Sequence, residues 1–143
     1  MDAPEPVQQD GTRQTLATRR LTLVASGRPV DVEFDAPVRR ANGEWTCGYR
    51  IRGIGRLRAG RAAGEDALHA LLLACASARQ LLEPFAAGLT WNGEPGELGL
   101  PELIPDYFGG EFRRRVERLV REETEREARR LKAAALGGPE SRR

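Results

Sequence analysis

The sequence predicts an α+β fold, in which an antiparallel meander of three to four strands is covered on one face by a helix. An irregular connector and a long charged C-terminal helix follow. Three segments before residue 53 alternate apolar and polar residues with period two, the pattern of half-buried strands. Residues 64–84 then repeat apolar residues at helical spacing. With 143 residues, the chain is long enough to bury one core.

The clear strands are predicted over residues 19–26, 30–36 and 45–52, with turn residues between them. Short turns favour antiparallel pairing of consecutive strands. A weaker alternation over residues 56–59 predicts a short fourth strand. One face of this sheet is apolar and consists of Leu21, Leu23, Ala25, Val30, Val32, Phe34, Ala36, Trp45, Cys47, Tyr49 and Ile51.

The opposite face of the sheet is charged, because acidic residues of the second strand lie beside arginines of the third. Opposite charges on neighbouring strands contribute roughly 0.2–1 kcal/mol each, and this pairing is our preferred explanation for Arg50 and Arg52. No acidic strand is predicted beside Arg56 and Arg58. A nucleic-acid partner is the alternative explanation, and its candidate sheet-face contacts are Arg50, Arg52, Arg56 and Arg58.

The covering helix is predicted within residues 64–84. Glu65 and Asp66 suit the positive end of the helix dipole at its start, and Pro84 ends it. We expect its apolar stripe to pack on the strands. That stripe consists of Leu68, Leu71, Leu72, Cys75, Ala78 and Leu82.

A second helix is predicted over residues 111–136, after an irregular connector over residues 88–110 that places apolar residues on the edge of the core. Gly137 supplies its stop signal. Its first half has an apolar stripe, and charged residues run along its whole length. Acid-first pairs at i,i+4, each worth about 0.2–0.5 kcal/mol, are expected at Glu111/Arg115, Glu117/Arg121, Glu122/Arg126 and Glu125/Arg129.

The predicted organisation is a disordered leader over residues 1–18, an α+β domain over residues 19–110, the charged helix over residues 111–136 and a disordered tail over residues 137–143. The start of the chain lacks the basic and apolar regions of a secretory signal. No apolar run approaches the ~20 residues of a membrane span, so no membrane partner is expected. The two cysteines give no disulfide framework. We expect a cytoplasmic protein.

Residue types that carry catalysis or bind metals are sparse. His69 is the single histidine, and it shares a helix face with Glu65 at i,i+4. We favour a solvated helix-end pair over a metal site or an acid/base pair there. Gly53 and Gly55 form half of a phosphate-binding fingerprint, but the third glycine is missing. The sequence therefore predicts no catalytic residue, no metal site and no cofactor.

The chain carries three motifs in succession: Trp45-x-Cys47-x-Tyr49-x-Ile51-x-Gly53, Gly64-x-Asp66-Ala67-Leu68-x-Ala70-Leu71-x-Leu73-Ala74 and Trp91-x-Gly93. Together they resemble a family of short bacterial proteins known only as a domain of unknown function. The resemblance covers about residues 19–105 and leaves the leader and the charged helix outside. Because that family has no assigned activity, the resemblance implies domain limits and no functional residues.

Charge distribution guides the choice among functions. Net positive charge lies in residues 19–62 and 111–143, and all the basic residues except Lys132 are arginines. We favour a non-catalytic protein-binding module, such as an adaptor, a regulator or an immunity-like protein, whose exposed sheet edge or charged helix meets another protein. The candidate partner-binding residues of the helix are Arg113, Arg114, Arg115, Arg118 and Arg121.

Three other interpretations stay open. The main alternative is a nucleic-acid-binding accessory protein that uses the arginine-rich sheet and the C-terminal helix on phosphates. Acidic residues interleaved along the same helix count against it. Self-association through the C-terminal helix and an enzyme with an unfamiliar site are less favoured.

Overall fold

The computed structural model describes residues 13–138, so the predicted leader before residue 13 and the predicted tail after residue 138 lie outside the described residues. Two units follow one another along the chain: unit 1 ends at Leu103 and unit 2 begins at Ile104. Unit 1 contains β1 (Thr15–Leu23), β2 (Pro29–Asp35), β3 (Val38–Arg39), β4 (Trp45–Arg52), β5 (Arg58–Gly64), α1 (Ala67–Leu82), the 3₁₀ helix Glu83–Gly88, β6 (Leu89–Trp91) and β7 (Glu94–Pro95). Unit 2 contains the 3₁₀ helix Asp106–Phe108 and α2 (Gly109–Leu136).

The strands form one antiparallel sheet. β4 pairs on one side with β5, and on the other side with β3 at its start and with β2 along its second half. Beyond β2 the order continues through β1 and β6 to β7. The α+β class is confirmed, but seven strands replace the predicted three to four. β3, β6 and β7 were missed because two or three residues are too few to show a period of two.

Strand limits also differ from those predicted. β1 begins at Thr15, inside the segment predicted as leader, and Ala25 lies in an exposed turn and not on the apolar face. The fourth strand of the meander covers Arg58–Gly64 and not residues 56–59. Its alternation was hidden because five of its seven residues are alanine or glycine, which barely differ in hydropathy.

The core lies between the sheet and α1. Large side chains of the strands fill it, while α1 contributes a line of small residues, Ala70, Ala74 and Ala78, and then Leu82. This corrects the predicted stripe: Leu68 is 65% exposed and Leu72 is 36% exposed. The apolar residues of α1 surround most of the helix, so spacing alone did not distinguish the line of alanines that faces the already bulky strands.

Close approach between α1 and β5 requires glycine at the end of the strand. A Cβ atom added to Gly64 would lie 2.4 Å from the amide nitrogen of Ala70 and 2.9 Å from its Cα. A Cβ added to Gly60 would meet the phenol ring of Tyr49 in the same way. The start of α1 therefore lies almost in backbone contact with β5.

The segment after β7 closes the core. Leu98 and Leu100 are buried, and the indole of Trp91 lies against Gly99. Arg79 Nη1 of α1 donates a hydrogen bond of 2.6 Å to the carbonyl oxygen of Leu100. The predicted connector thus does place apolar residues on the core, although it also contains β6 and β7.

Unit 2 is held together locally. Arg113 pairs with the carboxylate of Asp106 and donates a hydrogen bond of 3.2 Å to the carbonyl oxygen of Ile104. The ring of Phe108 contacts those of Tyr107 and Phe112, with centroids 4.4 and 4.9 Å apart. These contacts explain why the unit begins at Ile104, seven residues before the predicted helix.

The four acid-first i,i+4 pairs predicted for α2 are not formed among the described residues. The helix instead pairs Arg126 with Glu123 and Arg130 with Glu127 at i,i+3, and Arg113 Nη1 lies 3.8 Å from Glu117 Oε1. Both spacings bring side chains together on a helix surface, so the sequence did not decide between them.

Candidate functional site

The uncovered face of the sheet is an array of ion pairs. Arg50 Nη2 lies 3.2 Å from Glu33 Oε2, and Arg52 Nε lies 3.4 Å from the same oxygen. Arg50 also reaches Asp35 at 3.9 Å. The side chain of Arg50 is only 15% exposed. The pairing predicted between the second and third strands is therefore present, and it occupies both of these arginines.

Arg20 extends this array onto β1. Its guanidinium donates two hydrogen bonds, of 2.7 and 2.8 Å, to the two carboxylate oxygens of Asp31. These hydrogen bonds hold the pKa of Asp31 below its ordinary value and raise the pKa of Arg20. Because the two side chains hydrogen-bond to each other, the pair has a structural role in joining β1 to β2.

Arg56 and Arg58 differ from the other sheet arginines. Arg58 lies on the helix-covered face, where Nη1 donates a hydrogen bond of 2.7 Å to the carbonyl oxygen of Ile54 and the guanidinium lies 4.8 Å from the ring centroid of Phe85. Arg56 is exposed and has no ion pair within residues 13–138. The four predicted sheet-face contacts therefore do not form one surface.

The edge of the sheet at β5 is open. In the part of the chain that the structure describes, β5 pairs with β4 alone, in continuous register from Trp45↔Gly64 to Ile51↔Arg58. It contains no proline or lysine, and Arg58 and Arg61 are its only large side chains. A regular edge strand without proline or bulge offers backbone N–H and C=O groups to another extended chain.

The other exposed strand stretches are less suitable. β7, at the far end of the sheet, has two residues, one of them Pro95. β1 pairs with β6 only at Thr22 and Leu23, but its pairing with β2 shifts register between Thr15 and Ala17. Short strands, prolines and bulges are the features that normally protect an edge. β5 has none of them.

Two exposed apolar side chains, those of Phe85 and Leu57, lie at the start of this open edge, and a third lies near the end of α1. Leu81, near the end of α1, is 39% exposed, and Phe85, which contacts Arg58, is 36% exposed. Leu57, just before β5, is 54% exposed. On the other face of β5, Arg61 is exposed and lies between Ala59 and Ala63, which are exposed as well.

The single histidine lies in the first turn of α1, whose N-cap is Asp66. The side chain of Asp66 accepts a hydrogen bond of 2.7 Å from the backbone N–H of His69, and His69 Nδ1 accepts one of 3.1 Å from the backbone N–H of Glu65. Within residues 13–138, no group of three or more histidine, cysteine or acidic side chains could hold a metal ion. The contacts of His69 therefore stabilise the start of α1.

The two thiols are structural. Cys47 is buried, and Sγ donates a hydrogen bond of 3.3 Å to the carbonyl oxygen of Asp35. Burial raises the pKa of Cys47 to about 11 and also raises the pKa of Cys75. Because the thiolate is the reactive form, neither cysteine is prepared for nucleophilic chemistry.

One arginine on the helix-covered face stacks on an aromatic ring. The guanidinium of Arg19 lies 4.4 Å from the ring centroid of Trp91, and its Nε is buried without a partner among the described residues. Its charge acts on Cys75 by lowering the pKa of that thiol against the larger effect of burial. The stacking on Trp91 accounts for the position of this side chain.

The predicted partner-binding arginines of α2 separate into two groups. Arg113 is occupied by Asp106 and Ile104, and Arg115 lies 5.5 Å from the ring centroid of Phe112. The remaining three form no ion pair within residues 13–138 and, at 100° per residue, lie on one face of the helix. They are Arg114, Arg118 and Arg121.

Sequence reasoning named an exposed sheet edge but did not locate it. The signal was present in residues 58–64, which lack proline, acidic residues and bulky apolar side chains and end in the glycine that α1 requires. Reading small residues as one face of a strand would have identified β5.

Comparison with family models places most of unit 1 in a family. A family model described as "Domain of unknown function (DUF6968)" matches residues 17–102, which agrees with the predicted limits of the resemblance. No curated protein and no solved structure matches the chain. Neither helix of the described residues is long and apolar enough to cross a membrane.

Proposed function

The chain belongs to that family of unknown function, and we propose that it is a non-catalytic protein-binding module in which an extended segment of a partner protein adds as a new strand beside β5. One observation supports this proposal above all: β5 is seven residues long and regular, and among the described residues it pairs on one side only. Strand addition at an open sheet edge is a recurring mode of peptide recognition. An adaptor, a regulator or an immunity-like protein would use such an edge.

The state of the sheet arginines favours a protein partner over a nucleic acid. Arg20, Arg50 and Arg52 are engaged by carboxylates of β2, so they are poorly placed to neutralise phosphates. The strand residues that the structure places on the uncovered sheet face also include none of the aromatic side chains on which bases stack. Backbone groups of β5 recognise another backbone instead.

Amide hydrogen exchange on an isolated complex tests the proposal. The full chain, carrying a tag, is used to purify partners from lysate of its own cells, in nuclease-treated and untreated halves. We expect a protein to be retained in both halves, and exchange at residues 58–64 to slow in that complex, because the outward N–H groups of β5 become hydrogen-bonded. A stoichiometric complex in which exchange of β5 is unchanged would refute the edge as the binding site.

A nucleic-acid-binding accessory role is the second candidate. The observation in its favour is the row of arginines on α2, Arg114, Arg118 and Arg121, which form no ion pair within residues 13–138. If this role is correct, affinity for DNA or RNA falls steeply as salt rises, because released counterions drive the binding. Substitution of all three arginines by uncharged residues would reduce the salt dependence of nucleic-acid binding. Absence of binding at low salt would exclude this candidate.

A further inference from the structure

We infer that the segment received at β5 is an acidic, amphipathic strand, in which apolar and acidic residues alternate, with the apolar side chains toward α1 and the acidic ones toward the uncovered sheet face. This inference rests on the proposed function. It specifies the chemistry of the partner from the two sides of the open edge, which differ in character.

The uncovered side of the edge selects negative charge. Arg61 is exposed between Ala59 and Ala63, so a neighbouring strand would bring its side chains directly beside this guanidinium. Residues 53–64 contain no acidic residue, and Arg61 is the arginine of β5 on this face, since Arg58 lies on the helix-covered face. Arg61 itself has no ion pair among the residues described, unlike Arg50 further into the sheet. An acidic side chain of the partner would supply the missing opposite charge.

The covered side of the edge selects apolar side chains, as the orientation of α1 shows. One flank of α1 faces β1 and the segment around Leu100. On this flank Cys75 lies close enough to Arg19 for the charge to affect the thiol, and Arg79 donates a hydrogen bond to the carbonyl oxygen of Leu100. The opposite flank therefore faces the β5 edge, because α1 packs mainly over β5 and β4.

That opposite flank is apolar and incompletely covered. Leu73, Ser77 and Leu81 follow one another on it at four-residue intervals. Leu81 and then Phe85 remain more than one third exposed, and the ring of Phe85 lies against the guanidinium of Arg58 at the start of β5. A strand added to β5 would cover them with every second side chain, since successive side chains of a strand point to opposite faces.

A second copy of the chain is a poor occupant of the same edge. Residue 61 is the centre of β5, so two antiparallel copies paired symmetrically would place Arg61 opposite Arg61. Like charges directly opposite one another destabilise a strand pair. Charge therefore favours a different, acidic chain.

Two synthetic peptides test this inference on the full-length protein. The probe is acetyl-Thr-Val-Glu-Val-Glu-Val-Thr-amide, and its control carries lysine in place of both glutamates. Binding is followed by fluorescence anisotropy and by backbone amide exchange. We expect the glutamate peptide to bind at least tenfold more tightly than the lysine peptide and to slow exchange within residues 58–64. Comparable affinities would overturn the acidic preference.

Matched variants separate the two sides of the edge. Arg61→Glu should abolish or reverse the preference for the glutamate peptide, whereas Arg28→Glu, the same charge change in the exposed turn before β2, should leave it unchanged. Leu81→Ser should weaken binding severalfold, whereas Leu72→Ser, on the outward face of α1 with similar exposure, should not. Equal effects of a variant and its control would overturn the corresponding half of the inference.

Failure of this inference is distinguishable from failure of the proposed function. If neither peptide slows exchange at β5, the inferred chemistry is wrong, and the proposed function is judged separately by exchange in the complex with a cellular partner. If the glutamate peptide binds without slowing exchange at β5, it binds as a simple polyanion, and the inference is wrong as well. Tight binding of the lysine peptide at β5 would support β5 as the binding edge but overturn the inferred preference for acidic side chains.

Discussion

Replacing Gly64 by alanine tests how closely α1 lies on the sheet. A Cβ atom at this position would be 2.4 Å from the backbone nitrogen of Ala70, whereas ordinary van der Waals contact begins at 3.4 Å. The backbones of β5 and α1 must therefore separate by about 1 Å, because no flexible side chain can give way. Overpacking of this kind costs roughly 1–3 kcal/mol. We expect Gly64→Ala to lower the free energy of unfolding by that amount.

Urea unfolding followed by circular dichroism measures this effect, with Gly88→Ala as the matched control. A Cβ at Gly88 meets nothing within 4 Å, so this substitution should be neutral or stabilising by up to about 1 kcal/mol. Adding Ala70→Gly to the Gly64→Ala variant should not restore stability, because the clash is with backbone atoms of Ala70. Equal stability of the Gly64→Ala and Gly88→Ala variants would refute the close approach.

Three further outcomes are expected. In the same assay, Leu82→Ala should lower the free energy of unfolding by ~2–5 kcal/mol and Leu72→Ala by less than about 1 kcal/mol. The reason is that, of these two residues, only Leu82 is fully buried. Reversed values would contradict the assigned face of α1. Arg20→Gln should lower the free energy of unfolding only slightly at pH 7, because the guanidinium of Arg20 is solvent-exposed and exposed ion pairs contribute little. Because Arg20 lowers the pKa of Asp31 in the folded state, this contribution is present at neutral pH and should vanish as the pH falls below about 4 in a pH series of unfolding curves. Cys47, whose pKa is raised to about 11, should resist a thiolate-directed reagent at pH 8 until urea unfolds the protein, and rapid labelling of the folded chain would show that it is accessible.

Much of the sheet follows from the sequence because its two faces differ in chemistry. Val30, Val32 and Phe34 alternate with acidic residues, and this period fixes which side of β2 meets the helix. The same pattern predicts that the acidic residues of β2 share a face with Arg50 and Arg52, and the structure pairs Glu33 with Arg50 there. Period and charge together therefore determine the central strands.

Prediction fails where a residue is small. Ala70 and Ala74 are the centre of the helix contact, yet hydropathy ranks them below the leucines that face solvent. The choice depends on how much space the sheet leaves, which is a property of both layers and not of either segment alone. For the same reason, the limits of β5, which consists mainly of glycine and alanine, could not be predicted, and neither could the position of the open edge.

The order of the strands along the chain implies an order of folding. β1, β2, β4 and β5 pair with neighbours in sequence, so each pairing closes only a short loop. β6 instead pairs with β1 across almost the whole of unit 1. We expect this long-range pairing to form after the hairpins, because the entropy of closing the long loop must be overcome before the contact contributes. During synthesis the hairpins can assemble once Gly64 has emerged from the ribosome, whereas closure at Leu23 and Leu89 must wait for α1 to leave it.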